Sequence, residues 1–132
     1  MPWAGKRNTV SGFLPVAFGG ALGACGRYAV SLLPWTGRFP LATLLANLLG
    51  ALLIGFVAGL SGQGRLTKQW TLFWKTGVCG GFTTFSTFSL ESMNLLREGR
   101  WLAGGVYIVL SVGFCLIGVA VGQRISQAIL RP

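Results

Sequence analysis

Two stretches of this chain contain no charged residue over the length a bilayer demands. Leu41 to Leu60 reads LATLLANLLGALLIGFVAGL, and Trp101 to Gly122 reads WLAGGVYIVLSVGFCLIGVAVG. A hydrocarbon core about 30 Å thick takes about 20 apolar residues to cross as a helix, because backbone polar groups find no water there and must pair with one another. Two further apolar runs are interrupted: 13–33 carries Arg27, and 72–96 holds Lys75, Glu91 and a polar centre. The connecting segments look like turns: Pro34 to Pro40 (PWTGRFP), Ser61 to Gln69 (SGQGRLTKQ) and Arg97 to Arg100 (REGR). Trp35, Trp70, Trp74 and Trp101 fall at the ends of the runs, where an amphipathic ring prefers the headgroup level. Trp3 lies in the amino-terminal tail. The expected fold class is an all-α integral membrane protein. It is a single membrane domain over 1–132, with four transmembrane helices near 13–33, 41–60, 72–96 and 101–125. Nearly the whole of the 132 residues is then spent in the membrane, with no room for a soluble domain.

Composition narrows the chemistry. There are 11 Lys+Arg, 2 Asp+Glu and no His, for a formal net charge of +9, and charged residues make up only 10%. Both acids are glutamates, Glu91 and Glu98. Zinc and di-iron sites built from His and carboxylates are excluded, and so is a Ser-His-Asp triad. Paired-carboxylate chemistry would need those two glutamates to meet. The basic residues stand at the ends of apolar runs and form no dense patch, which reads as membrane flanking rather than nucleic-acid binding. Cys25, Cys79 and Cys115 are an odd, widely spaced set inside apolar sequence, expected as small buried thiols and not as a disulfide framework. Lys6 and Arg7 before the first run resemble a signal-peptide n-region, but the run is too long and more spans follow, so it reads as a retained first span.

With four spans both termini share a side. Lys6, Arg7, Arg65, Lys68, Lys75, Arg124 and Arg131 fall there, and Arg38, Arg97 and Arg100 on the other. The positive-inside rule favours cytoplasmic termini by this modest bias, which does not exclude insertion both ways. The 21 glycines include Gly19-x-x-x-Gly23, Gly55-x-x-x-Gly59 and Gly118-x-x-x-Gly122, spacings that let helices approach closely in lipid.

The third run carries the chemistry. Thr76 to Glu91 reads TGVCGGFTTFSTFSLE, with Gly80 and Gly81 adjacent in mid-span and Thr83, Thr84, Ser86, Thr87 and Ser89 close behind. Either this helix breaks in mid-membrane, where protein or water must cover it and its freed carbonyls can bind a cation, or it is continuous and its hydroxyls bond back to their own carbonyls. Phe82, Phe85 and Phe88 lie roughly along one helical face. They are either a packing stripe or a set of electropositive ring edges able to meet a small anion. Asn47, in the middle of the second span, is either helix–helix glue or an amide donor to an anion. Arg27 either snorkels to the interface or lines a wet cavity. Tyr107, Ser111 and Cys115 recur every four residues and make a polar stripe on the last helix.

These residues closely resemble the CrcB/Fluc fluoride channels of bacteria. The resemblance covers nearly the whole chain and rests on GGFTTFSTFSLE in the third span, the Gly23 to Tyr28 pattern (G-x-x-x-R-Y) and the stretch from Thr43 to Asn47 (TLLAN). It implies an antiparallel, dual-topology homodimer with two fluoride pores in the plasma (inner) membrane. It further implies that Phe85 and Phe88 present ring edges to fluoride, that Asn47 bonds the ion near the pore mouth, and that Tyr107 and Ser111 begin a polar track. Arg27 is then expected in an aqueous vestibule. A structural sodium ion (Na+) is expected at the dimer centre, held by backbone carbonyls of Gly80 and Thr83. Two positions depart from the family pattern: Cys115, where a hydroxyl usually continues the track, and Phe82, where leucine is common.

A fluoride-selective pore has to replace the water of a small, strongly hydrated ion with close donors, which amide, hydroxyl and ring edge can do. With no embedded proton-relay acid and no nucleotide motif, transport is expected to be passive efflux that lowers cytoplasmic fluoride. The main alternative is a small dual-topology multidrug exporter. It calls for an acid within the membrane, and the first span offers Arg27 instead. A non-transporting assembly subunit would leave the hydroxyl and phenylalanine cluster without a purpose. An enzyme is not expected, since no activated nucleophile or base is visible.

Overall fold

The computed structural model describes residues 7–131, with side chains described from Val10 to Arg131. Trp3 and Lys6 lie outside the described residues, as does the side chain of Arg7. All regular structure among the described residues is helical. In chain order the elements are α1 (Arg7–Ser31), α2 (Leu41–Gly62), α3 (Lys68–Thr71), a π-helical segment (Leu72–Cys79), α4 (Gly80–Phe82), α5 (Phe85–Arg97) and α6 (Trp101–Ile129).

Three stretches are long and apolar enough to cross a membrane. Val10–Ser31, Leu41–Gly62 and Trp101–Ile129 have mean hydropathies of 1.2, 2.2 and 2.3. At 1.5 Å per residue each exceeds the roughly 30 Å of hydrocarbon. The run expected as a third span is a succession of shorter pieces: α3, the π-helical segment and α4 follow one another, and α5 starts after two extended residues. The chain is a multi-pass integral membrane protein.

The turns are set by glycine where the backbone demands it. Gly64 and Gly99 have φ of +68° and +74°, in the left-handed region that costs glycine nothing. Each closes a helix in the same way. Gly64 N–H donates to Ser61 C=O and Arg65 N–H to Leu60 C=O at the end of α2; Gly99 N–H donates to Leu96 C=O and Arg100 N–H to Leu95 C=O at the end of α5. These paired bonds satisfy carbonyls that a helix end leaves open. Thr67 then starts α3 by accepting from Trp70 N–H.

Two tight helix pairings build the molecule, and both run on small residues. α2 packs along α6. A Cβ at Gly55 would meet the Val119 carbonyl, one at Gly122 the Leu52 carbonyl, and one at Gly59 the Ser126 hydroxyl. α1 packs along the π-helical segment and α4. There Gly19 lies against the Phe73 carbonyl, Gly23 against the Val78 carbonyl, and Gly81 against the Gly20 carbonyl. The three G-x-x-x-G patterns are thus occupied by contacts within one chain. α5 leans on α6, where Leu44, Phe88, Leu95 and Tyr107 form a small buried cluster.

The outside is apolar. Leu102 is 83% exposed and Val10 72%, among many large hydrophobic residues. A water-soluble monomer rarely carries such contiguous apolar surface, whereas a lipid-facing one does. Of the three thiols only Cys79 is fully buried; Cys115 is half-buried, and Cys25 is exposed on α1, outside the packed interior where the sequence suggested it.

The close approach at Gly23 gives a direct test. Gly23→Ala places a methyl on the Val78 backbone, while Gly20→Ala places one in open space. Overpacking of this kind costs about 1–3 kcal/mol. Gly23→Ala is expected to lower the thermal unfolding midpoint in detergent clearly, and Gly20→Ala to leave it unchanged or slightly raised.

Candidate functional site

The site grows from the interruption between α4 and α5. Thr83 and Thr84 are extended, with ψ of 155° and 113°. Thr83 N–H still closes the last turn on Cys79 C=O at 3.0 Å. Thr84 N–H, which would continue the helix on Gly80 C=O, donates instead to Asn47 Oδ1 at 2.7 Å. Asn47 returns the bond: its Nδ2 donates to Thr84 C=O at 3.2 Å. One asparagine of α2 therefore takes up both backbone polar groups of Thr84, the residue that leaves the helix. From the other side, Arg27 Nε of α1 donates to Gly81 C=O at 3.2 Å. Among the described residues, no hydrogen bond is made to the carbonyl oxygens of Gly80 or Thr83 outside the helices.

The hydroxyls serve both expectations at once. Thr83 Oγ1 donates back to Cys79 C=O at 2.8 Å, and Ser89 Oγ to Phe85 C=O at 2.8 Å. Thr84 caps α5, its Oγ1 accepting from Thr87 N–H at 3.2 Å and donating to Thr87 Oγ1 at 3.0 Å. Such local bonds stabilise a fresh helix start after a break.

Because α5 begins at the break, Phe85 and Phe88 occupy its first turn. Phe85 is 78% exposed and Phe88 8%, and their ring centroids are 5.5 Å apart at 46°. Both line a groove of ≈ 280 Å³ together with Asn47, Ser111, Cys115 and the aliphatic side chains of Val112, Leu116 and Val119. Four of the five expected pore residues thus share one cavity wall. Ser111 Oγ is buried and makes no hydrogen bond among the described residues.

Tyr107 enters differently. It is fully buried, its ring 5.3 Å from Phe88 and 5.6 Å, edge-on, from Phe39. Its hydroxyl donates to Glu91 Oε2 at 2.7 Å, and Thr43 Oγ1 donates to Glu91 Oε1 at 2.9 Å. Glu91 also borders a wider, polar hollow with Arg38, Asn94, Glu98 and Arg100. Sequence reasoning missed Glu91 and Thr43 as site residues. The available signal was that Glu91 is one of only two acids in a chain with 11 cations. Arg27 stands at the break and not in this groove's wall. Phe82 touches the space above Gly26 and Gly50, a packing position between α1 and α2. No group of three or more metal-ligating side chains occurs among the described residues, so a cation site here has only backbone and neutral side-chain oxygens to draw on.

A polytopic helical protein with a broken helix beside a narrow groove, lined by an amide, a hydroxyl and paired phenyl rings, belongs to the class of membrane pores and not to that of catalysts. Residues 14–123 match the family described as CrcB-like protein, Camphor Resistance (CrcB). The chain is 47% identical over 118 residues to a protein named fluoride-specific ion channel FluC from Ruminiclostridium cellulolyticum, covering 86% of this chain and 91% of the relative. It is 41% identical to one so named from Paramagnetospirillum magneticum (88% and 95% covered) and 47% identical to one from Rhodospirillum rubrum (84% and 91% covered). The chain belongs to the CrcB family, a family of channels and not of enzymes.

Asn47→Leu keeps the branching at Cγ and the heavy-atom count but removes both bonds to Thr84. A buried peptide group left unpaired costs about 1–3 kcal/mol per group. The variant is expected to unfold at a distinctly lower temperature than the wild type in the same detergent, with faster amide exchange at Thr84. An unshifted midpoint together with unchanged exchange would show that the break is held by something else.

Proposed function

We propose that this protein is a fluoride-selective ion channel of the plasma membrane that lets fluoride leave the cell passively and so limits its toxicity. The observation that carries the reading is the shared groove of Asn47, Phe85, Phe88 and Ser111, in a chain closely similar to proteins named as fluoride channels. Fluoride is small and held tightly by water, so a selective path must offer donors at short range to replace that water. Asn47 has two amide hydrogens and spends one on Thr84, leaving one to donate. The edges of Phe85 and Phe88 carry the positive part of the ring quadrupole. Ser111 supplies a hydroxyl with no competing bond among the described residues. Tyr107 begins the track with Ser111, its ring packed on Phe88 and its hydroxyl donating a hydrogen bond to Glu91.

The working unit in this reading is an antiparallel, dual-topology homodimer of chains that each cross the bilayer four times, with α3 to α5 as the broken third crossing. Support comes from the groove itself. It is open along one side, and Phe85, one of its defining walls, is 78% exposed in the single chain. A second copy laid across it would close the path.

The break supplies a further element. The carbonyls of Gly80 and Thr83, which among the described residues accept no hydrogen bond outside the helices, fit a hard monovalent cation, which takes oxygen ligands and needs no carboxylate. Sodium held there between two copies would add a fixed positive charge close to the anion path. Arg27, tied to Gly81 beside it, adds a second cation on the vestibule side.

The test is flux from liposomes. Purified protein is expected to release fluoride and not chloride, with no dependence on a proton gradient. Proton-coupled efflux of an organic cation in place of fluoride release would sink the channel reading. Phe85→Ile and Phe88→Ile are each expected to cut the fluoride rate by about tenfold or more, which corresponds to ~1.4 kcal/mol of barrier, while the protein elutes at an unchanged position on gel filtration. Replacing sodium by N-methylglucamine is expected to weaken flux; full activity without sodium would remove the cation from the scheme.

A further inference from the structure

The end of the molecule farthest from Glu91 has a cavity and a charge pattern that ion conduction does not use. In the last turns of α2 Gly59 packs on Ser126, while the small Ala58 and Gly62 leave space beside α6 unfilled. The recess there, ≈ 580 Å³, is walled by Gln63, Gln123, Gln127 and Arg131. A second hollow of ≈ 460 Å³ adjoins it through Gln127 and Arg131 and adds Arg124.

The wall is unusual for this chain. It holds three of the four glutamines in the sequence, two arginines and no acid. Both glutamates lie toward the other end of α6; Glu91 is bonded to Tyr107, about 25 Å of helix before Arg124. Arg124 and Gln127 are three residues apart on one side of the end of α6, and Arg131, just past the helix, lines the same hollow. Guanidinium forks and amide N–H groups are the donors that suit phosphate oxygens. Toward the membrane centre α6 presents Val121 and Ile117, three and seven residues before Arg124 and so near its side of the helix, 40% and 60% exposed. A polar, cationic recess above an exposed apolar lane has the two-part chemistry of a phospholipid, and the cationic half selects an anionic one. A free phosphate ion would make no use of the lane.

We propose that this recess is a binding site for an anionic phospholipid, its phosphate held by Arg124 and Arg131 and its acyl chain laid along Val121 and Ile117. Neither arginine lines the ion groove, so the site can be altered without touching conduction.

The experiment is native mass spectrometry of the whole protein in detergent, titrated with phosphatidylglycerol or with phosphatidylcholine of the same chains. The wild type is expected to retain phosphatidylglycerol preferentially. The double variant Arg124→Gln, Arg131→Gln is expected to lose that preference by on the order of tenfold, two cations each acting on the headgroup. Arg97→Gln, a cation at the opposite end, is expected to keep it. Fluoride flux from liposomes of neutral lipid reports that the double variant is folded. Equal retention of the two lipids by the wild type, or an undiminished preference in the folded double variant, would overturn the proposal. Displacement of phosphatidylglycerol by millimolar inorganic phosphate would overturn the lipid assignment in favour of a simple anion site.

Discussion

The pair of hydrogen bonds between Asn47 and Thr84 is the contact on which the rest of this structure depends. In hydrocarbon an unpaired peptide group has no water to fall back on, so a helix can break there only where protein supplies the missing partners. Asn47 supplies both for Thr84, and Arg27 supplies one for Gly81. Each requires its own helix to come close to the interruption. That closeness explains why α1 presents Gly19 and Gly23, and α2 presents Gly50, toward the backbone and side chains around it. With the break fixed, α5 must begin at Phe85. The first turn of α5 then places Phe85 and Phe88 beside Asn47 and against α6. The candidate anion path and the stability of the fold draw on the same asparagine.

Much of this was legible in the sequence, for reasons that can be named. α2 and α6 follow from charge-free length alone, and the turn after α2 and the turn before α6 hold the left-handed glycines Gly64 and Gly99. The interruption was legible as a conflict: Gly80-Gly81 weakens a helix, and clustered hydroxyls have no reason to face lipid. The sequence left open whether the hydroxyls bond locally or the helix breaks. Those readings are not exclusive, since Thr83 bonds back to Cys79 while Thr84 leaves the helix and caps the next. Ser111 and Asn47 were found because a polar residue inside an apolar run is costly enough to stand out.

What stayed hidden depends on three-dimensional approach. Thr43, Glu91 and Tyr107 come from three helices, and their hydrogen bonds join positions 48 and 16 residues apart in sequence. No local pattern announces such a meeting. Arg27 offered either an interfacial or a vestibular reading, and neither included its bond to the Gly81 carbonyl. The π-helical winding of Leu72–Cys79 has no periodicity that the apolar pattern could reveal. The G-x-x-x-G spacings were readable as close packing, but not as packing inside one chain between particular helices.

The scarcity of titrating groups fits a path for a small, hard anion. A carboxylate in the groove would repel fluoride, and a free cation would bind it too tightly to let it leave. The groove contains neither: Arg27 is held at the Gly81 carbonyl, and Glu91 lies beyond Tyr107, accepting two hydroxyl protons. The groove is lined by Asn47, Ser111, Cys115, Phe85 and Phe88 beside the aliphatic Val112, Leu116 and Val119, so in the proposed path an amide, a hydroxyl, a thiol and ring edges are the donors on offer. Each attracts an anion weakly and at short range, so a dehydrated ion can be passed between them. Such donors act only if lipid and bulk water are kept out. In the proposed dimer a second protein surface, not lipid, would cover the open side of the groove and the exposed face of Phe85, whereas lipid suffices for the exposed Leu102 elsewhere.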